Sequence, residues 1–315
     1  MTASIARRIG ALSIVATIAL AACSSSGAST APSTAPTTAP TTAASTAPSA
    51  AASAGGSAVA MTCVAGSISA SGSTAMQPVV DAAGKLYVKE CPGATINVQG
   101  GGSGTGLTQV ATGAVNIGNS DVTAESKLKP DQSSLLVNHI VLKQGWVMVV
   151  NSSVTGITNL TTQQASDIWT GKTTNWKDVG GPNQPIVLIL RPASSGTRAV
   201  FKKVVLNGAD ESTSATLTED SNGTVAKAVG TTPGSTSYIG LAYYQANKAG
   251  VVPLQLDGVD ATPANITNGT YKLSANGNMY TKGAASGLAQ AFISFMLGPE
   301  VQGTLIPSLY YAPVQ

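Results

Sequence analysis

The chain has 315 residues, 43% of them apolar, only 10% charged and 4% aromatic, with seventeen basic and fourteen acidic side chains for a net charge of +3. That length accommodates one large domain or two moderate lobes with cores of their own. Setting Arg7 and Arg8 aside leaves fifteen basic against fourteen acidic groups, and the absence of a basic run or an aromatic-interleaved patch excludes nucleic acid as a partner.

At the N-terminus, Arg7 and Arg8 precede an apolar stretch over 9–20 that ends in small residues, the pattern of an export signal spanning 1–22. The stretch is too short for a membrane-spanning helix. Leu20-Ala21-Ala22-Cys23 resembles the lipobox of bacterial lipoproteins, which implies a lipid on Cys23 and an extracytoplasmic chain anchored to the cell membrane. Residues 23–57 then form a linker. After Cys23 they are Ser, Ala, Thr, Pro and Gly alone, which is expected to act as a tether because it cannot form a core. With Cys23 assigned to the anchor, Cys63 and Cys91 remain. One pair in an exported chain predicts a disulfide between the start of the first strand and the end of the helix after it.

From residue 58 onward, short β-branched runs alternate with helical patterns. A strand near 66–70 is followed by a helix over 76–90, with Val79, Val80, Ala83, Leu86 and Tyr87 on one face. A strand at 95–99, a short helical stretch and a strand at 115–118 complete a βαβαβ order, expected of an α/β fold whose helices cover a mostly parallel sheet. Apolar segments at 140–142 and 146–150 carry the chain to a second lobe. That lobe is built from a helix at 162–170, a strand at 186–190 and a helix at 197–206, and 238–244 reads as the return strand. Leu288, Ala291, Phe292, Phe295 and Met296 form an amphipathic C-terminal pattern that packs back on the first lobe. The expected division is 58–146 with 245–315 in lobe I and 147–244 in lobe II, with a ligand cleft between them.

Four polar, glycine-bearing segments each follow a predicted strand, so their tips gather at the strands' carboxyl ends, where open α/β sheets bind ligands. They are Gly72-Ser73-Thr74, Gly102-Ser103-Gly104-Thr105-Gly106, Gly118-Asn119-Ser120-Asp121 and Arg191-Pro192-Ala193-Ser194-Ser195-Gly196-Thr197. Taken singly, such residues are ordinary caps and turns. As a set they supply one guanidinium, one carboxylate, several hydroxyls and the free N–H groups of helix starts, a combination suited to a tetrahedral anion. Arg191, Ser195, Gly196 and Thr197 are the donors on one side, Thr74 and Ser103 those on the other. Asp121 repels an anion unless the ligand carries a proton; phosphate does at neutral pH and sulfate does not.

These residues resemble the phosphate-binding proteins of bacterial phosphate ABC transporters over about 68–311. The similarity includes the Gly-Ser-Thr turn, the 99–106 loop, Gly118 to Asp121, Ile168-Trp169-Thr170-Gly171-Lys172 with Asn175-Trp176, the stretch 191–201, and Ser237-Tyr238-Ile239-Gly240. The resemblance implies a two-lobed periplasmic-binding-protein fold of the second type, without catalysis or cofactor. Its partners would be inorganic phosphate and the permease subunits of an ABC transporter, and the protein itself a monomer. It places Thr74 and Ala75 where relatives present a hydroxyl and a backbone amide, Ser103 at the serine of the second loop, and Asp121 at the carboxylate that accepts the ligand's proton. Arg191, Ser195, Gly196 and Thr197 fall on the donor cluster of the other lobe. Ala193 departs from the pattern, because some members carry an acidic residue there to orient the arginine.

Three other readings fit parts of the sequence. A binding protein for sulfate, molybdate or tungstate shares the loops but conflicts with Asp121. A surface sensor or adhesin would use the same pocket. A serine hydrolase built on Ser194 or Ser195 lacks a general base, since His139 is the single histidine and lies outside the four loops. One histidine and scattered carboxylates also fall short of a metal centre.

Overall fold

The computed structural model describes residues 61–214, 217–248 and 250–314. The export signal, Cys23 and the linker lie outside the described residues. The first strands and helices alternate: β1 (Gly66–Gly72), α1 (Gln77–Glu90), β2 (Ala94–Gly101), α2 (Ser103–Thr112) and β3 (Ile117–Ser120). After the short α3 (Pro130–Ser133) comes the long β4 (Leu136–Asn151), then β5 (Asn159–Leu160), α4 (Thr162–Trp169), β6 (Val187–Leu190) and α5 (Gly196–Val204). The remainder is β7 (Leu217–Thr218), α6 (Asn222–Thr231), β8 (Ser235–Gly240), α7 (Leu241–Ala246), β9 (Val251–Leu256), α8 (Pro263–Thr267), β10 (Ser274–Lys282), α9 (Gly287–Met296) and α10 (Ile306–Ser308).

The strands form one mixed sheet in the order β2-β1-β3-β10-β4-β8-β6-β7, with β9 on β4 and β5 on β9. β1 runs parallel to both β2 and β3, as βαβαβ order requires. β4 joins the two lobes. Its first part, through Gly145, pairs antiparallel with β10, and from Trp146 it pairs with β8 instead. The sequence reading saw two apolar segments here because Lys143-Gln144-Gly145 interrupts the run. They are one strand that exchanges partners at the interruption.

Each lobe has its own core. In the first, α1 turns Val79, Val80, Ala83 and Tyr87 inward, and Tyr87 meets Phe292 and Phe295 of α9 edge to face at centroid distances of 6.0 and 5.5 Å. Each such pair contributes about 0.5–1.5 kcal/mol beyond its burial. Cys91 closes α1 and is disulfide-bonded to Cys63, with Cα atoms 5.3 Å apart. In the second lobe, Trp169, Phe201 and Tyr238 stack in a buried column, with Phe201 and Tyr238 4.0 Å apart.

Two elements differ from the sequence reading. The apolar run 238–244 is strand only to Gly240 and continues as α7, because the pairing with β4 ends at Gly240 opposite Trp146. Beyond it, β9 pairs with the second part of β4, and Leu254, Leu256, Ile266, Tyr271 and Leu273 join the core around Trp146. The chain comes back to the first lobe's strands at Ser274, opposite Gly145. There Trp146 N donates to Leu273 O at 3.0 Å and Tyr271 Oη to Trp146 O at 2.7 Å, so the outgoing and incoming crossings are bonded side by side.

Candidate functional site

The strand-end loops meet at one buried cluster. β3 ends at Ser120 and the chain turns with Asp121 pointing inward, 3% exposed. Its backbone N–H donates to Ser103 Oγ at 3.0 Å, which ties the loop after β3 to the first residue of α2. Oδ1 of Asp121 accepts from Ser73 Oγ and, at 2.9 Å, from Gln144 Nε2. Oδ2 accepts from Thr197 Oγ1 of the other lobe at 3.1 Å. Burial pushes the carboxyl above its ordinary value, opposed by the hydrogen bonds from Ser73, Gln144 and Thr197 and by the charge of Arg191.

Arg191 follows β6 directly and is 1% exposed. Its Nη2 donates to the carbonyl of Asp220 at 2.9 Å and, more weakly, to Thr74 Oγ1 at 3.5 Å. Nε and Nη1 are buried without a partner. Burial pulls this group below its ordinary value against the pull of Tyr238, Asp121 and Asp220, yet a guanidinium remains charged. Ser195 caps α5, its Oγ accepting from Arg198 N at 3.2 Å, so the helix presents the N–H groups of its first turn beside Ser103 and Asp121. Gly196 has to be glycine: a Cβ there would stand 2.0 Å from Ser103 Oγ and 2.9 Å from Asp121 Cβ. Gly102, at φ +88°, brings its backbone close to Ser194 in the same way.

Hydrogen bonds also run directly between the lobes. Gly104 N donates to Ser194 O at 2.9 Å, and Lys127 Nζ to the carbonyls of Ala193 and Ser195 at 2.8 and 3.3 Å. Asn222 Nδ2 donates to Thr74 Oγ1 at 3.0 Å while its Oδ1 accepts from Gly240 N at 2.8 Å. The result is a buried floor with unpaired guanidinium donors and helix-start amides on one side and a carboxylate acceptor on the other. Such a floor suits an anion that itself carries a proton.

The PBP superfamily domain model matches residues 33–300. Over 249 residues, 79% of this chain and 81% of the relative, the sequence is 43% identical to the phosphate-binding protein PstS of Bacillus subtilis. The chain belongs to the PBP superfamily and, within it, to the PstS family. Among solved structures it is similar to a putative phosphate ABC transporter substrate-binding protein with bound phosphate from Clostridium perfringens. That match has a TM-score of 0.72 and 29% identity, covering 79% of this chain and all of the other. An ABC-type phosphate transport receptor from Vibrio cholerae matches with a TM-score of 0.62 and 28% identity over 78% of this chain and 99% of the other.

In this member of the PstS family, the predicted residues Thr74, Ser103, Asp121, Arg191, Ser195, Gly196 and Thr197 all lie in or against the cluster. Ala75 sits beside it with its N–H already given to Ser73 Oγ at 3.1 Å, and its carbonyl accepts from Tyr311 Oη. Asp121 caps no helix; the next helical turn begins after Thr123. His139 pairs with Thr281 Oγ1 instead, at 3.1 Å. Sequence reasoning passed over Ser73, whose neighbour Thr74 looked equivalent, and Gln144, which reads as one polar residue in an apolar strand. Lys127 and the Asp220 carbonyl were missed as well, and a backbone acceptor leaves no mark in a sequence. Ala193 is no obstacle to holding Arg191, because the Asp220 carbonyl does so from another loop.

Proposed function

We propose that the protein captures inorganic phosphate outside the cytoplasm and delivers it to an ABC transporter for import. The observation that carries this reading is the pairing, on one buried floor, of a guanidinium with two unpartnered nitrogens and a carboxylate. A fully deprotonated oxyanion satisfies the first and is repelled by the second, whereas phosphate satisfies both. The names carried by the relatives in Bacillus subtilis, Clostridium perfringens and Vibrio cholerae support the same ligand and the same transporter class.

In this reading the ion is bound by Arg191, the Ser195 hydroxyl and the amides of Gly196 and Thr197 from one lobe, and by the Thr74 and Ser103 hydroxyls and the Asp121 carboxylate from the other, with Ala75 beside it. The protein acts by binding and release, without catalysis. Lobe I comprises 61–145 with 274–314, lobe II 146–273, and the paired crossings at Gly145–Trp146 and Leu273–Ser274 form the hinge. Phosphate favours the closed form because it contacts both lobes, and the permease reads that form. Cys23 carries the lipid that holds the monomer at the membrane. Among the described residues there is no helix long and apolar enough to cross a membrane.

Calorimetric titration of the mature protein with phosphate, in excess sulfate, tests the central claim for wild type and Asp121→Asn. Tight binding that ignores sulfate, with discrimination weakened in the variant, is the expected result. A folded wild type that takes up no phosphate refutes the reading.

A further inference from the structure

We propose that Gln144, together with Ser73, is a positioning residue that locks the Asp121 carboxylate so that it offers the bound ion a single open valence, on Oδ2, and that this lock sets the discrimination against fully deprotonated oxyanions. The proposal rests on the phosphate reading above.

The argument is a count of lone pairs. Each carboxylate oxygen accepts about two hydrogen bonds. Oδ1 already has two donors, Ser73 Oγ and Gln144 Nε2, and Oδ2 has one, Thr197 Oγ1. One position remains, and it is on the oxygen facing Thr197 and the start of α5.

Both Oδ1 donors are constrained to donate. Ser73 Oγ accepts from the N–H groups of Ala75 and Met76 at 3.1 and 3.2 Å, which leaves its own proton for Asp121. Gln144 is 1% exposed, and its Oε1 is buried without a partner. Turning the amide over would set that oxygen against a carboxylate, so Nε2 is held in place by Asp121 itself. The residue stands just before the point where β4 exchanges β10 for β8, which places the amide at the crossing between the lobes.

Other charged or titratable groups act on Asp121 less directly. Arg191 and Lys127 act through their charge. The Tyr311 phenol, which donates to Ala75 O, is kept neutral by burial and by the nearby carboxylate. With Oδ1 saturated, a proton on Asp121 has only Oδ2 to occupy, where it turns the acceptor meant for a P–OH group into a donor. A site in that state welcomes sulfate. By stabilising the ionised carboxylate, Gln144 and Ser73 keep the site out of it.

Wild type, Gln144→Leu and Ser73→Ala are titrated with phosphate against sulfate by calorimetry from about pH 5 to about pH 8.5. Losing one charge-assisted donor should move the onset of sulfate competition upward by about 1 pH unit in each variant. Folded variants that follow the wild-type pH profile overturn the proposal, even if their phosphate affinity falls, because a merely structural role changes affinity without moving the profile. Failure of wild type to bind phosphate would instead count against the phosphate reading. The lock is checked separately by the Asp121 carboxyl ¹³C resonance of wild type, assigned by its loss in folded Asp121→Asn. An ionised carboxyl at about pH 7 is expected, and a protonated one overturns the proposal.

Discussion

Arg191 and Arg198 belong to the same strand-to-helix turn but have different surroundings. Arg198 is partly open to solvent, and its Nε reaches Glu211 Oε2 at 2.6 Å; the other oxygen of Glu211 accepts from Tyr238 Oη at 2.7 Å. Arg191 is more deeply buried, held on one nitrogen by a carbonyl and a hydroxyl, with two nitrogens unmatched. A guanidinium with its carboxylate already in place is a structural tie. One buried without a carboxylate against it is costly unless an anion arrives. The fold thus ties one arginine into its own structure and leaves the other with two buried donors that an anion would satisfy.

The sharpest way to break this contrast is Arg191→Met. Phosphate affinity should fall by more than a hundredfold, about 3 kcal/mol, while the thermal midpoint of the ligand-free protein stays level or rises, because an uncompensated buried charge has gone. Calorimetric titration and scanning of the same samples measure both. Arg198→Met should do the reverse. It strands the buried Glu211 and costs about 2 kcal/mol of unfolding free energy, moderated by the solvent that reaches Arg198. Phosphate affinity should change by less than about fivefold. Equal losses of affinity in the two variants would erase the distinction.

Gly196→Ala tests the approach of the lobes at the same turn. The added Cβ meets Ser103 and Asp121 across the lobes, so affinity should drop by about 2 kcal/mol, and because lobes that part escape the clash, ligand-free stability should change little. An unaffected affinity would show that the ion is bound without this contact. The smallest effect concerns Asp121. Burial raises its pKa in the folded state, so the folded protein holds this proton more tightly than the unfolded chain does. The ligand-free protein therefore loses stability as pH rises from the unfolded carboxylate value through the folded one. In Asp121→Asn, chemical denaturation across that window should show a flatter dependence on pH.

What could be read from the sequence was local. The Gly-Ser-Thr loops at strand ends, Arg191 at the start of a capped turn and Asp121 after a buried strand each carry their signal within a few residues, through periodicity, turn chemistry and charge, and the cysteine pair is legible from its count. Gln144 was not legible, because its meaning depends on β4 lying between β10 and β8, with β3 on the far side of β10. The same holds for Lys127, whose partners lie 66 and 68 residues away in sequence, and for the choice of Ser73 over Thr74 as the donor to Asp121. The chain's own pattern determined the α/β class, the loops and the kinds of groups they carry. Only the tertiary structure decided which oxygen of Asp121 stays open, which arginine stays unpaired and where the chain crosses between lobes, because hydrogen-bond direction and strand exchange are set by groups brought together from distant parts of the chain.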